Sequence, residues 1–207
     1  MSSWVRRQFG GIGLTQSPPG PHLAALQAKH GGTVLLCIDV SGSMSGEPLS
    51  QAIKGGAKFL TEAEKAHYRC GLVLWSDTVD RYVPPGKPMK KVRAALENAS
   101  IRGGTELSPA LRLGIDELGS RTGDRVLCVF SDGGIGDKRK AKTLARELCA
   151  MGVRIIVRGL GHDVAGTLAS LACPGDDDDQ RVVDDVSQIS SGIASMATGL
   201  TTRQQRG

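Results

Sequence analysis

Apolar residues fall along this chain in two alternating rhythms. Thr33-Val34-Leu35-Leu36-Cys37-Ile38, flanked by glycines, and Arg125 to Phe130 are unbroken runs that read as strands buried on both faces. Arg69 to Trp75, Val153 to Val157 and Arg181 to Val183 read as further strands. Thr78 to Val83 alternates more and ends in Pro84-Pro85, which predicts an edge strand paired antiparallel to its neighbour. Between these runs the spacing changes to the helical one. Glu47-Pro48 opens a helix whose face carries Leu49, Ala52, Ile53, Ala57 and Leu60. Lys87, Lys90, Lys91 and Arg93 decorate a short second helix. Leu107, Ala110, Leu111, Gly114, Ile115 and Leu118 mark a third, and Leu144, Ala145 and Leu148 a fourth. Asp163 is placed to cap a fifth carrying Val164, Leu168 and Leu171, and Val186, Ile189, Ile193, Met196 and Leu200 mark the last. Strands alternating with helices predict an α/β doubly wound sheet, mostly parallel, with helices on both faces.

The ends of the strands carry the candidate chemistry. The first run stops at Asp39, at the carboxyl edge where open α/β sheets place ligands. In Asp39-Val40-Ser41-Gly42-Ser43 three oxygen-bearing side chains can converge on one point, and Gly42 lets the loop turn tightly. Gly103-Gly104-Thr105 puts a hydroxyl at the mouth of a helix. The run ending at Phe130 continues as Ser131-Asp132-Gly133-Gly134. Oxygen-only ligands suit a hard cation such as Mg²⁺ far better than zinc or copper. For any one of these residues the competing reading is loop capping, because Ser and Asp after a strand often satisfy backbone donors.

Taken in order, Asp39-x-Ser41-x-Ser43, Gly-Gly-Thr105 and Ser-Asp132-Gly resemble the von Willebrand factor A domain and its metal-ion-dependent adhesion site. The resemblance covers roughly residues 33 to 200. It implies a Rossmann-like six-stranded sheet with one antiparallel edge, preceded by an amino-terminal arm (1–32) and followed by a polar tail (201–207). It also implies a metal site of Asp39, Ser41, Ser43, Thr105 and Asp132, holding Mg²⁺ or alternatively Mn²⁺ or Ca²⁺. In the family's ligand-bound state the hydroxyls touch the ion and the aspartates act largely through waters. Neutral hydroxyls leave the cation's charge little quenched, so a partner protein's Asp or Glu is drawn to it. The resemblance points to a non-enzymatic adaptor in the bacterial cytoplasm, beside ATPases or in stress and conflict systems.

Two catalytic readings compete. Gly42-Ser43-Met44-Ser45-Gly46 matches the nucleophile elbow of an α/β serine hydrolase, with Asp132 and His162 following in that family's order. Against it, Ser45 lies six residues beyond Asp39 rather than at the turn directly after the strand. Phosphoryl transfer on Asp39 wants an acid two residues on, where Ser41 stands, and a hydroxyl cannot do that acid/base work.

Composition narrows the picture. At 207 residues, 40% apolar and 23% charged, the chain is sized for one domain with a sheet covered on both sides. Only 3% is aromatic, so the core is aliphatic, and the net charge of +5 comes without the stacking aromatics of a nucleic-acid binder. Lys138-Arg139-Lys140-Ala141-Lys142 is either a basic rim that draws in an acidic partner or a solvated helix face. Asp176 to Asp179 lack EF-hand spacing and read as a solvated loop. Five cysteines without metal-ligand spacing predict small buried thiols in a reducing compartment. No run is long enough to span a membrane. Arg6-Arg7-Gln8-Phe9 echoes a twin-arginine export signal, but Pro18-Pro19-Gly20-Pro21 breaks the apolar helix that should follow. Pro21 to His30 has the pattern of a short helix stopped by Gly31-Gly32.

Overall fold

A computed structural model describes residues 31–174 and 180–200. The arm with its Pro21 to His30 helix, the Asp176 to Asp179 run and the tail 201–207 lie outside the described residues. Six strands form one sheet in the order β3-β2-β1-β4-β5-β6. They are β1 (Thr33–Asp39), β2 (Arg69–Trp75), β3 (Val79–Val83), β4 (Arg125–Ser131), β5 (Arg154–Leu160) and β6 (Gln180–Val183). Every pairing is parallel except β2 with β3. The doubly wound sheet and its antiparallel edge are therefore as the patterning predicts.

Period-two alternation divides each central strand between two cores. Val34, Leu36 and Ile38 of β1 face one layer with Phe130 of β4 and Leu72 of β2. Leu35 and Cys37 face the other with Val129 and Trp75. The first layer is covered by α1 (Glu47–Lys65), α2 (Met89–Glu97) and α6 (Ile189–Ser195). The second is covered by α3 (Ser108–Leu118), α4 (Lys138–Ala150) and α5 (His162–Ala169). β1 has no solvated face, which is why its run is continuously apolar.

Three local expectations change. β5 runs to Leu160 instead of stopping at Val157, because the polar Arg158 inside it is buried, its guanidinium donating to Ser195 Oγ and Val157 O. Asp163 makes no cap bond; α5 starts from Gly161 at φ +78°, in the left-handed region that glycine enters freely. The last helix is broken into a 3₁₀ turn (Val186–Gln188), α6 and a turn at 196–197. Ser195 Oγ donates to Gly192 O and Thr198 Oγ1 to Ser195 O, so hydroxyls compete for carbonyls that a longer helix would use. Ile189, Ile193, Met196 and Leu200 are nonetheless fully buried.

The cysteine reading needs the largest correction. Cys37, Cys70 and Cys128 are buried thiols outside any disulfide, as expected, but Cys149 and Cys173 form one, with Cα atoms 5.6 Å apart. The two are 24 residues apart and meet only because the end of α4 packs beside the segment after α5. With one pair oxidised, cysteine usage gives no support to a reducing compartment. Among the described residues no helix is long and apolar enough to cross a membrane.

Candidate metal centre

Strand order creates the site. Going out from β1, the chain passes to β2 on one side and to β4 on the other, so loops leave the carboxyl ends of β1 and β4 in opposite directions. Ile38 is level with Phe130, which puts Asp39 abreast of Ser131. Ser131 Oγ donates to Asp39 Oδ2 at 2.5 Å, and the Ser41 amide donates to Asp39 Oδ1 at 2.7 Å. Both carboxylate oxygens of a fully buried Asp39 are thereby fixed.

From there a chain of oxygens crosses to the other strand. Ser41 Oγ and Ser43 Oγ are 3.1 Å apart, and Ser43 Oγ donates to Asp132 Oδ1 at 2.7 Å. A hydroxyl has one hydrogen. With Ser43's committed to Asp132, the Ser41 hydroxyl is left to donate to Ser43 or to Asp39, which its side chain also reaches. The hydrogens thus run toward the carboxylates, leaving oxygen lone pairs free to face a cation. Gly133 lies against this row: a Cβ there would meet Ser43 Oγ at 3.1 Å, so a side chain would crowd it.

Thr105 arrives on the loop between α2 and α3, which is tied to both sides of the cluster. The Arg102 amide donates to Val40 O, the Gly42 amide to Gly103 O and the Gly136 amide to Thr105 O, at 2.7, 3.3 and 2.8 Å. Its half-buried side chain hydrogen-bonds to none of the described residues.

Electrostatics favour an added positive charge. Burial pushes the Asp39 carboxyl above its ordinary range; bonds from Ser131 and Ser41 offset this in part, and the Asp132 charge adds to it. Burial likewise raises Asp132, partly offset by the Ser43 bond. Two desolvated carboxylates joined by neutral hydroxyls fit a hard divalent ion, since a cation removes the cost of ionising both. Among the described residues no group of three or more His, Cys, Asp or Glu is placed to hold a metal, so any ion held here would need hydroxyl oxygens beside the two carboxylates.

Asp39, Ser41, Ser43 and Asp132 are therefore brought together, and Thr105's loop is bound beside them. The hydrolase triad is not assembled. Ser45 is exposed after the Gly42–Met44 turn, Asp132 is engaged by Ser43, and no hydrogen bond joins Ser45 to Asp132 or His162.

Two residues escaped the sequence reading. Ser131 stands inside the quoted Ser-Asp-Gly, and a hydroxyl ending an apolar run was the available signal. Asp137 reads locally as a cap for α4. Instead its two oxygens accept from the Leu107 and Ser108 amides at 3.0 and 2.8 Å, capping α3 from a distant loop. Asp137→Ala should cost about 1 kcal/mol, as loss of an N-cap does. Urea unfolding should show that loss, with Asp137→Asn recovering only part of it, because its one amide oxygen can accept from one of the two amides while its NH₂ faces the other.

Fold and sequence together define the class: this chain carries a von Willebrand factor type A domain, whose family profile matches residues 34–135. It is similar to the magnesium-chelatase 67 kDa subunit of Heliobacterium mobile, at 24% identity over 110 residues covering 51% of this chain and 16% of that protein. The chain thus spans about a sixth of that relative's length. Among solved structures it resembles the vWF domain of a type V pili tip protein from Porphyromonas gingivalis. That match has a TM-score of 0.74 at 13% identity and covers 86% of this chain and 97% of the other. It also resembles proximal thread matrix protein 1 from the mussel byssus, solved with a zinc-occupied MIDAS motif. There the TM-score is 0.67 at 17% identity, covering 81% of this chain and 47% of that one. At these identities the structures share the fold.

Proposed function

We propose that this chain is a metal-dependent protein-interaction module, not itself catalytic, that binds an Asp or Glu of a partner protein. The observation that supports it best is the row of oxygens from Ser41 through Ser43 to Asp132, closed by Asp39 and Ser131. Ser41, Ser43 and Thr105 would hold Mg²⁺ through their oxygens, while Asp39 and Asp132 accept the hydroxyl protons and orient waters. The bound ion supplies positive charge that neutral ligands leave available to an incoming carboxylate. Asp39 contributes from full burial, so it balances the ion's charge without competing for the exposed side of the site.

The zinc-occupied MIDAS motif of the byssus protein is consistent with a divalent ion at the equivalent place. The likeness to a chelatase subunit fits a component of a multi-protein system, and we place it in a bacterial one. Affinity capture from lysate of the source cells, with Mg²⁺ and with chelator, tests the reading. The expected result is a protein retained only with Mg²⁺ and lost with Ser43→Ala. A captured set indifferent to chelator would refute metal dependence.

A further inference from the structure

We propose that the groove between α4 and α5 extends the docking surface, taking further carboxylates of an acidic partner segment whose leading carboxylate goes to the metal. It rests on the metal-site reading above. The groove encloses about 260 Å³ and starts from the metal site's own loop. Ile135, which lines it, lies between Asp132 and Gly136, whose amide is bonded to the Thr105 loop. An extended chain leaving the ion across this loop therefore meets the groove next.

The lining is complementary to carboxylates. Ile135 and Leu171, both 3% exposed, give it apolar surface, while Lys138, Arg139 and Lys142 line it from α4. None of these three cations forms an ion pair among the described residues. The nearest acid in sequence, Asp137, is turned to the α3 amides, and the first turn of α4 holds no acidic side chain. Across the groove, Ser170 donates its hydroxyl to Thr167 O and brings no charge. No carboxylate of the described residues thus lies within ion-pair distance of these three cations. The Cys149–Cys173 disulfide joins the end of α4 to the segment after α5, holding the groove's two sides together before a partner arrives.

Fluorescence anisotropy with two labelled peptides of equal length tests this, in Mg²⁺ at low salt. One carries a single Asp among Gly, Ser and Gln; the other carries the same Asp followed by three Glu. The wild type should bind the multi-acid peptide about tenfold more tightly, the sum of several exposed pairs. Lys138→Gln/Arg139→Gln/Lys142→Gln should bring that ratio close to one, while keeping single-Asp affinity and the Mg²⁺-induced rise in melting temperature. The control Lys87→Gln/Lys91→Gln, in the basic groove between β3 and α2, should leave the ratio unchanged.

A ratio that survives the triple change, or falls equally in the control, overturns the proposal. So does absence of multi-acid binding, or displacement by single-stranded DNA of equal charge at lower concentration than by unlabelled peptide. The two readings fail separately. If Mg²⁺ has no thermal effect yet the ratio depends on Lys138, Arg139 and Lys142, the metal anchor falls and the groove's recognition of carboxylates stands. A magnesium response without that ratio refutes the groove alone.

Discussion

Mg²⁺ should raise the melting temperature of the wild-type protein by roughly 5–10 °C at a hundredfold excess over its Kd. Asp39→Asn should abolish that rise and yet make the metal-free protein more stable than wild type. The opposite signs follow from burial. Asp39 is fully buried and its carboxyl is pushed above its ordinary range, so the fold is penalised for ionising it. A carboxyl raised by folding contributes stability that is fully present below its unfolded pKa and is lost as pH rises through the folded one. Asn removes that loss and keeps the geometry. Its carbonyl can accept from the Ser41 amide, and its NH₂ can donate to Ser131 Oγ. A bound cation reverses the dependence, because it favours the ionised form, so the magnesium increment should grow over the same pH interval. Calorimetry of both proteins with and without Mg²⁺ across mildly acid to neutral pH measures all of this. A magnesium response retained by the Asn variant, or absent from wild type, would remove the metal site.

Gly55→Ala should lower the melting temperature by roughly 2–8 °C, against what helix propensity alone predicts. Gly55 and Gly56 sit in the middle of α1, where alanine should be better by about 1 kcal/mol. A Cβ on Gly55, however, would lie 2.7 Å from Ser190 O and 2.8 Å from Ser190 Cα. Those are backbone atoms of α6 and cannot rotate away, so the two helices must separate and open the core between them. At Gly56 the nearest atoms are Leu96 Cδ2 and Ile38 Cδ1, ends of side chains that can shift, so the loss there should be smaller. Gly166 in α5 is the counterexample: a Cβ meets nothing within 4 Å, and Gly166→Ala should raise the melting temperature by about 2–4 °C. Thermal unfolding of the three variants checks the order. A stabilised Gly55→Ala would show that the α1–α6 contact is looser than these distances require.

Much of the candidate site is legible in the chain because it is local. Asp39, Ser41 and Ser43 lie within five residues, so one strand end and one tight loop decide their placement. Asp132 is legible for the same reason, as the acid ending a second apolar run. Thr105 is legible as a loop hydroxyl, though its place beside the others depends on backbone bonds between its loop and Val40, Gly42 and Gly136 that no local pattern encodes. Ser131 and Asp137 were missed because each acts on a distant element, Asp39 on another strand and the start of α3. The Ser45, Asp132 and His162 elbow was a match in letters only. Ser45 is carried past the strand end by the Gly42–Met44 turn and is left in solvent.

By itself, then, the sequence determined which runs are strands, which faces of the helices are apolar and where each strand ends in oxygen. Those are consequences of side-chain period and turn chemistry within a few residues. Only the tertiary structure decided that Ser43 meets Asp132 across 89 residues, that Cys149 pairs with Cys173, and that two glycines let α1 close on its neighbours. Such meetings depend on strand order and register, and the same hydrophobic pattern is compatible with several orders until the whole core packs.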